Sequence, residues 1–276
     1  MSEPTSIALQ QEIARDLEVA ETFEAGQEIE RRVAFLAERL ASTGLRCLVL
    51  GISGGVDSTL AGRLCQLAVE RARAAGHEAR FYAMRLPYGI QADEHDAQLA
   101  LSFIQADRVL TVDIKPASDA ALQASLDAGI SFRDAHHQDF VHGNIKARQR
   151  MIAQYAVAGA HGGLVVGTDH AAEAVSGFFT KFGDGAADLV PLTGLTKRRV
   201  RSVADTLGAP AELVWKSPTA DLETLAPGKT DEDALGVTYD DIDDFLEGKP
   251  VDEQAFETIT NRYRLTGHKR QLPIAP

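Results

Sequence analysis

A glycine-rich turn joins an apolar strand pattern to a helical pattern early in the chain. Residues 47–50 are Cys-Leu-Val-Leu, residues 51–58 are Gly-Ile-Ser-Gly-Gly-Val-Asp-Ser, and a helical pattern begins at residue 59. At such a junction the free backbone N–H groups of the turn and of the first helical turn point outwards, where the helix dipole favours an anion. The junction therefore predicts a phosphate-binding loop at the end of a strand.

The loop carries a carboxylate where other phosphate-binding loops carry a cation. It lacks the Gly-Lys-Ser/Thr ending of a Walker A loop and does not match the dinucleotide pattern G-x-G-x-x-G, and Asp57 stands close to the position of the missing lysine. Since a carboxylate repels phosphate unless a divalent cation lies between them, the loop indicates binding of a metal-pyrophosphate. In the alternative interpretation the glycines only make a tight turn, and Asp57 or Ser58 caps the helix.

Strand and helix patterns alternate through the first two thirds of the chain. Strands are predicted over 46–52, 80–84, 109–114 and 164–166, and helices from 59 to about 75 and over 92–104, 117–128 and 145–158. This alternation predicts an α/β fold, a doubly wound and mostly parallel sheet with helices on both faces. Ligands of such sheets bind outside the carboxyl ends of the strands, so Ser53 and the stretch Thr168-Asp169-His170 are expected to face one crevice.

The remaining segments show weaker patterns. Residues 28–40 predict an amphipathic helix with Ile29, Val33, Leu36 and Leu40 on one face. Helices are also predicted over 196–207 and 252–265, and an acidic segment spans 231–247. We expect one domain over residues 1–276, with a core over about 28–210 and a C-terminal extension over about 211–276.

Composition and charge exclude several classes of protein. The 276 residues are 45% hydrophobic and 25% charged, with a net charge of −12 and no basic run of five or more. This balance argues against sequence-independent binding to nucleic acid or to an anionic membrane. Cys47 and Cys65 are predicted to be reduced core residues. Because no signal peptide and no membrane span is recognisable, we expect a cytoplasmic protein.

A second carboxylate follows the strand pattern that ends at residue 166. Glu173 falls in the first turns of the next helix, where it could meet Asp57 across the crevice and complete a Mg²⁺ site with the bridging phosphates. Alternatively, Asp169 caps that helix and Glu173 interacts with its dipole. His170 and the pair His136-His137 have no second histidine or cysteine at ligand spacing, so they are assigned no metal.

Basic side chains cluster at four places in this acidic chain. They are Lys146 with Arg148 and Arg150, Lys181, the run 197–199, and the run 268–270. Arginine and lysine at these places could hold a polyanionic substrate, because both side chains bind phosphate. For any one cluster the alternative is a solvated helix face.

These residues resemble a superfamily and, more specifically, one family within it. The string SGGVDS (53–58) resembles the PP-loop of the ATP pyrophosphatase superfamily, whose members cut ATP between the α- and β-phosphates. Longer segments at 85–97, 143–151, 165–192, 217–223, 231–243 and 267–270 resemble bacterial ammonia-dependent NAD⁺ synthetase. The second resemblance covers nearly the whole chain and implies an adenine nucleotide alpha hydrolase-like fold.

The resemblance also implies roles for individual residues. ATP would contact Gly51, Ile52, Ser53, Gly54, Gly55, Val56, Asp57, Ser58, Thr168, Lys197 and Thr219. Deamido-NAD⁺ would be held by Arg148, Lys181, Asp188, His268 and Lys269, and Mg²⁺ by Asp57 and Glu173. No side-chain nucleophile is implied. Many relatives carry glutamine at the position of Val56, and we expect the difference to be tolerated.

The resemblance further implies a homodimer with the dinucleotide site at the subunit interface, which offers a partner to the amphipathic helix at 28–40. Free ammonia is the expected amide donor, and the sequence leaves open whether a separate glutaminase partner supplies it. Two other functions compete with this one: another PP-loop ligase, such as a tRNA-thiolating or GMP-forming enzyme, and a catalytically silent nucleotide-binding module. A thiolating enzyme would need reactive cysteines and a basic RNA surface, which this sequence does not show.

Overall fold

The computed structural model describes residues 3–90, 93–218, 225 and 230–273, with the side chains described from residue 7 onward. Four strands are present in this part of the chain: β1 (Cys47–Gly51), β2 (Arg80–Arg85), β3 (Arg108–Thr111) and β4 (Gly163–Val165). The helices are α1 (Glu3–Asp16), α2 (Ala25–Thr43), α3 (Val56–Ala74), α4 (Glu94–Ile104), α5 (Lys115–Asp127), α6 (Ala135–His161), α7 (Ala171–Ser176), α8 (Lys197–Thr206), α9 (Ala211–Val214), α10 (Asp231–Leu235), α11 (Tyr239–Leu246) and α12 (Glu253–Leu265).

The sheet is parallel throughout and its strand order is β3-β2-β1-β4. The chain winds from β1 outwards to β3 and then returns to place β4 on the other side of β1. The order therefore reverses between β1 and β4, which is where open α/β sheets form a ligand crevice. The loops that follow β1 and β4 lie on either side of this crevice.

Alternate side chains of the strands enter two different cores. Leu48 and Leu50 pack with α2, α3, α4 and α8, whereas Cys47 and Val49 lie on the other face of the sheet, in a cluster with Ile114 before α5 and Ala158 within α6. Both cysteines are buried and free. The predicted doubly wound sheet with helices on both faces is confirmed.

The amphipathic helix at 28–40 lies inside α2. Val33, Leu36 and Leu40 are buried against α3 and α8. This apolar face is thus covered within the chain, and the expectation that a second subunit covers it is wrong.

A third cluster joins the two ends of the chain. Ile13 and Leu17, in and just after α1, pack with side chains of α7, α11 and α12. The C-terminal helices are therefore held next to the segment that follows β4. The predicted division into a core over 28–210 and an extension over 211–276 stays a prediction.

Candidate active site

At one position of the glycine-rich loop, the backbone has a conformation that only glycine adopts without strain. Gly54 has φ = +91°, and a Cβ there would lie 2.8 Å from the backbone nitrogen of Ala97 in the first turn of α4. The Ser53 and Ser58 hydroxyls lie 3.1 Å apart and close the turn. No side chain caps α3, and the Asp57 carboxylate is bonded to Lys197, so the capping alternative for Asp57 is wrong.

We expect Gly54→Ala to displace the loop and raise the KM for ATP by about tenfold or more, since left-handed strain costs about 1–3 kcal/mol before the clash with α4 is counted. The matched control is Gly55→Ala, because Gly55 has φ = −77° and, among the described residues, its Cβ would meet only the Ser53 hydroxyl, at 3.5 Å. ATP titration of both variants tests this. Equal ATP binding by the two variants would contradict the assigned role of Gly54.

Two carboxylates and an imidazole meet at the crevice. Oxygen or nitrogen atoms of Asp57, His170 and Glu173 all lie within 4.8 Å of one another. His170 Nε2 is 3.5 Å from Asp57 Oδ1 and 3.7 Å from Glu173 Oε1. The predicted meeting of Asp57 and Glu173 is confirmed, whereas the alternative that Asp169 caps α7 is wrong, because the N-cap residue is His170 and no side chain caps the helix.

The charges of this cluster are unbalanced. Burial alone would raise the pKa of Asp57, but the Lys197 ammonium, which donates hydrogen bonds to both oxygens of its carboxylate, holds it below the usual range. Burial and the nearby Asp57 raise the pKa of Glu173 well above its usual value. Burial lowers the pKa of His170 to about 3, so its imidazole is neutral. The two carboxylates thus share one cation, and their oxygen donors suit a divalent ion such as Mg²⁺, which would supply the missing charge.

His170 was missed as a member of this cluster. Sequence spacing to other histidines and cysteines gave no signal, because its neighbours in space are carboxylates from two elements. The usable signal was its place directly after a strand that faces the same crevice as Asp57. His137, by contrast, accepts a hydrogen bond from the Arg133 backbone at the start of α6.

Lys197 is buried and held from two sides. Its Nζ lies 2.8 and 3.0 Å from the two Asp57 carboxylate oxygens. The Asp243 carboxylate accepts hydrogen bonds from the backbone N–H groups of Lys197 and Arg198, at 2.9 and 2.6 Å. Asp243 belongs to the acidic segment 231–247, which folds as α10 and α11. This segment therefore anchors the start of α8 and the lysine that α8 presents to the crevice.

We expect Asp243→Ala to lower kcat/KM by about tenfold through Lys197, since loss of a buried acceptor costs about 1–3 kcal/mol. The matched control is Asp240→Ala in the same helix, because the Asp240 side chain is 84% exposed. Steady-state kinetics and thermal unfolding of both variants test this. Unchanged activity of a folded Asp243→Ala protein would show that this anchor is dispensable.

Four of the five residues predicted to hold the dinucleotide form one group. Arg148 donates to the backbone oxygen of Lys181 at 3.2 Å, and Lys181 Nζ donates to that of His268. Lys269 Nζ donates to the backbone oxygens of Gly177 and Phe179, both at 2.8 Å. This group is called the basic group below.

Asp188 makes different contacts. Its carboxylate accepts hydrogen bonds from the Val165 backbone at 2.8 Å and from the Tyr155 hydroxyl at 3.3 Å. It therefore ties β4 to α6, and its contact with a dinucleotide stays a prediction. Thr219 lies outside the described residues.

A cavity of about 480 Å³ joins the loop to the other parts of the site. It is called the front cavity, and its lining includes the loop after β1, Thr168, Glu173, Lys197 and Lys269. Arg85 and Lys216 also line it and were missed by the sequence analysis. Arg85 is buried and donates to the backbone oxygen of Ile52 at 2.7 Å, so it supports the loop from β2.

Comparison with known proteins decides the family. The profile of the NAD synthase family matches residues 28–273. The chain belongs to the NAD synthase family. Among curated relatives, the NH₃-dependent NAD⁺ synthetase of Streptomyces coelicolor is 85% identical over the full length of both chains. The family resemblance and the fold class predicted from the sequence are confirmed.

Two solved structures are similar to this chain over most of their length. The NAD⁺ synthetase of Burkholderia pseudomallei superimposes with a TM-score of 0.85 at 60% identity, covering 97% of this chain and 98% of that one. The NMN synthetase of Francisella tularensis superimposes with a TM-score of 0.81 at 34% identity, covering 92% and 99%. Within the described part of this chain, every helix is too short or too polar to span a bilayer.

Proposed function

We propose that this member of the family is an ammonia-dependent NAD⁺ synthetase. ATP adenylates the nicotinate carboxylate of deamido-NAD⁺, and ammonia then displaces AMP to give NAD⁺, the last step of NAD⁺ biosynthesis. The observation that carries the proposal is the placement of Asp57, Glu173 and Lys197 in one cavity with the phosphate-binding loop, next to the basic group. The identity of 85% to a relative with this name supports the same substrates.

The first step joins the two nucleotides. A nicotinate carboxylate oxygen attacks the α-phosphorus, and the bond from that phosphorus to the bridging oxygen breaks, so that pyrophosphate leaves. The loop N–H groups and Lys197 would bind the departing pyrophosphate, where preorganised charge contributes most. Asp57 and Glu173 would hold Mg²⁺, which supplies further charge stabilisation on the phosphate oxygens.

The second step needs no side-chain nucleophile. The ammonia lone pair attacks the carbonyl carbon, the bond to the AMP oxygen breaks, and one proton leaves to solvent. The basic group would hold the dinucleotide with its carboxylate towards the loop, because lysine and arginine bind the pyrophosphate bridge. Orientation of this kind is a large part of the rate enhancement for reactions between two bound substrates.

We propose that two copies of the chain associate through α6. Phe140 and Ile152 on this helix are 55% and 51% exposed, and Arg148 of the basic group lies one helical turn before Ile152. An interface there would place the dinucleotide between subunits. Sedimentation of the wild-type chain and of Ile152→Glu tests this, with a dimer expected for the first and a monomer for the second.

Assays with two nicotinate substrates test the proposed function. The purified chain is incubated with Mg-ATP and an ammonium salt, together with deamido-NAD⁺ or with nicotinate mononucleotide, the carboxylate form of the product named for the Francisella relative. We expect equal amounts of NAD⁺, AMP and pyrophosphate, and kcat/KM at least about tenfold lower for the mononucleotide, which offers fewer contacts to the basic group. A preference for the mononucleotide, or ATP binding without turnover, would contradict the proposal.

We expect Lys181→Ala to raise the KM for deamido-NAD⁺ by about tenfold or more while the KM for ATP changes little, because a charge-assisted contact to phosphate contributes about 1.5–3 kcal/mol. Lys249→Ala is the matched control: it removes the same charge from a half-exposed side chain that pairs with Asp244 and Glu247. Steady-state kinetics with each substrate varied in turn make the measurement. Unchanged kinetics for deamido-NAD⁺ would show the assigned role to be wrong.

A further inference from the structure

A second cavity, of about 300 Å³, lies behind the segment that carries Glu173. Residues 168–174 form the partition between the two: Thr168 and Glu173 line the front cavity, whereas Asp169, His170 and Ala174 line the second one. We call this second space the rear cavity. Its wall is therefore the same segment that presents a carboxylate to the reaction centre.

His170 connects the two cavities. It is 1% exposed, and neither ring nitrogen has a hydrogen-bond partner among the residues that the structure describes. Its Nε2 lies 3.5 Å from Asp57 in the front cavity, while the residue lines the rear cavity. Because a buried polar group without a partner costs free energy, Nδ1, the ring nitrogen that does not face the candidate metal ligands, points to a small polar species that reaches this part of the partition.

The charges of the rear cavity favour a cation. Asp16 and Glu18 are exposed carboxylates of its lining, and Asp16 accepts a hydrogen bond from the Tyr263 hydroxyl. Asp169 is less exposed, and burial together with the nearby Asp184 and Asp57 raises its pKa to about 7, so the negative charge comes mainly from Asp16 and Glu18. Arg270, the cationic side chain of this lining, donates hydrogen bonds to the backbone oxygens of Ala174 and Tyr263, at 2.9 and 2.6 Å. The lysines that could bind phosphate, Lys197, Lys216 and Lys269, line only the front cavity.

We propose that ammonium reaches the reaction centre through the rear cavity, on the opposite side of the partition from ATP and the dinucleotide; this rests on the proposed function. ATP and the nicotinate end of the dinucleotide would occupy the front cavity when the adenylate forms, so the third substrate needs its own route to the carbonyl carbon. Ammonium releases one proton to cavity water, and neutral ammonia crosses the partition beside His170. The acidic lining raises the local concentration of the cation.

A pair of charge reversals tests the route. Glu18→Lys places a cation in the rear cavity lining, and Glu21→Lys makes the same change at an exposed residue outside that lining. We expect Glu18→Lys to raise the KM for ammonium about fivefold at low ionic strength and less at high ionic strength, because salt screens exposed charges. Glu21→Lys is expected to keep the wild-type value. Equal KM values for ammonium in the two variants would overturn the proposal.

A substitution that fills the rear cavity gives a second test of the route. Ala174→Met extends a flexible side chain into the rear cavity, and we expect it to raise the KM for ammonium about tenfold. ATP–pyrophosphate exchange with deamido-NAD⁺ but without ammonium reports the first step alone, and we expect both Glu18→Lys and Ala174→Met to exchange at the wild-type rate. Normal exchange with a wild-type KM for ammonium in both variants would overturn the proposal. A wild-type chain without exchange would instead contradict the proposed function, and this inference with it.

Discussion

Asp57→Asn is expected to lower kcat/KM for NAD⁺ synthesis by about a thousandfold or more, which corresponds to about 4 kcal/mol of transition-state stabilisation. The change keeps the size of the side chain and an acceptor for Lys197, which lies 2.8 Å from Asp57 Oδ2. It removes the charge that would bind Mg²⁺ next to the phosphates. ATP–pyrophosphate exchange measures the loss at the first step.

The choice of asparagine separates catalysis from folding. Asp57→Ala would leave Lys197, which is 2% exposed, without its carboxylate, and an uncompensated buried charge costs about 3–5 kcal/mol of stability. Asp240→Asn, at an 84% exposed side chain, controls for the chemical change itself. If Asp57→Asn retained near-normal exchange, the assignment of Asp57 as a metal ligand would be wrong.

Lys197→Met is expected to lower the rate of adenylation by about a hundredfold and to destabilise the chain. The lysine balances Asp57 and Glu173, whose charges hold its pKa above the usual value although burial alone would lower it. Removing one member of such a buried group costs about 3–5 kcal/mol because the partner charge stays behind. Exchange assays and denaturant unfolding measure the two effects.

A double-mutant cycle isolates the interaction of this pair. Residues in direct contact couple by about 0.5–3 kcal/mol, so Asp57→Asn combined with Lys197→Met is expected to be more stable than the sum of the single changes predicts. Denaturant unfolding of the four proteins gives the coupling. Additive free energies of unfolding would mean that Asp57 and Lys197 do not stabilise each other in the folded chain.

The sequence predicted the parts of the site that local chemistry determines. The loop at 51–58 follows from a buried strand, glycines and a helix start, and the crevice follows from the order of strands and helices. The predicted start of α6 was wrong, since the helix begins at Ala135 rather than at Ile145. Its first ten residues were missed because residues 135–144 lack a clear apolar period. Asp134, whose side chain accepts from the His137 backbone, was the available N-cap signal.

The contacts that support the site could not be read from local patterns. Asp243 bonds to Lys197 from 46 positions later in the chain, and its neighbours in sequence look like a solvated acidic run. Arg85 reaches the loop backbone across 33 positions. Such contacts arise from tertiary packing, which brings distant residues together without any spacing rule.

The fate of one oxygen atom tests the central claim most directly. Deamido-NAD⁺ carrying a heavy oxygen isotope in its nicotinate carboxylate is converted with ATP and ammonium, and the AMP and pyrophosphate are examined by mass spectrometry. If the carboxylate attacks the α-phosphorus and ammonia then displaces AMP, one labelled oxygen appears in AMP and none in pyrophosphate. Labelled pyrophosphate or inorganic phosphate, or unlabelled AMP beside newly formed NAD⁺, would contradict the account.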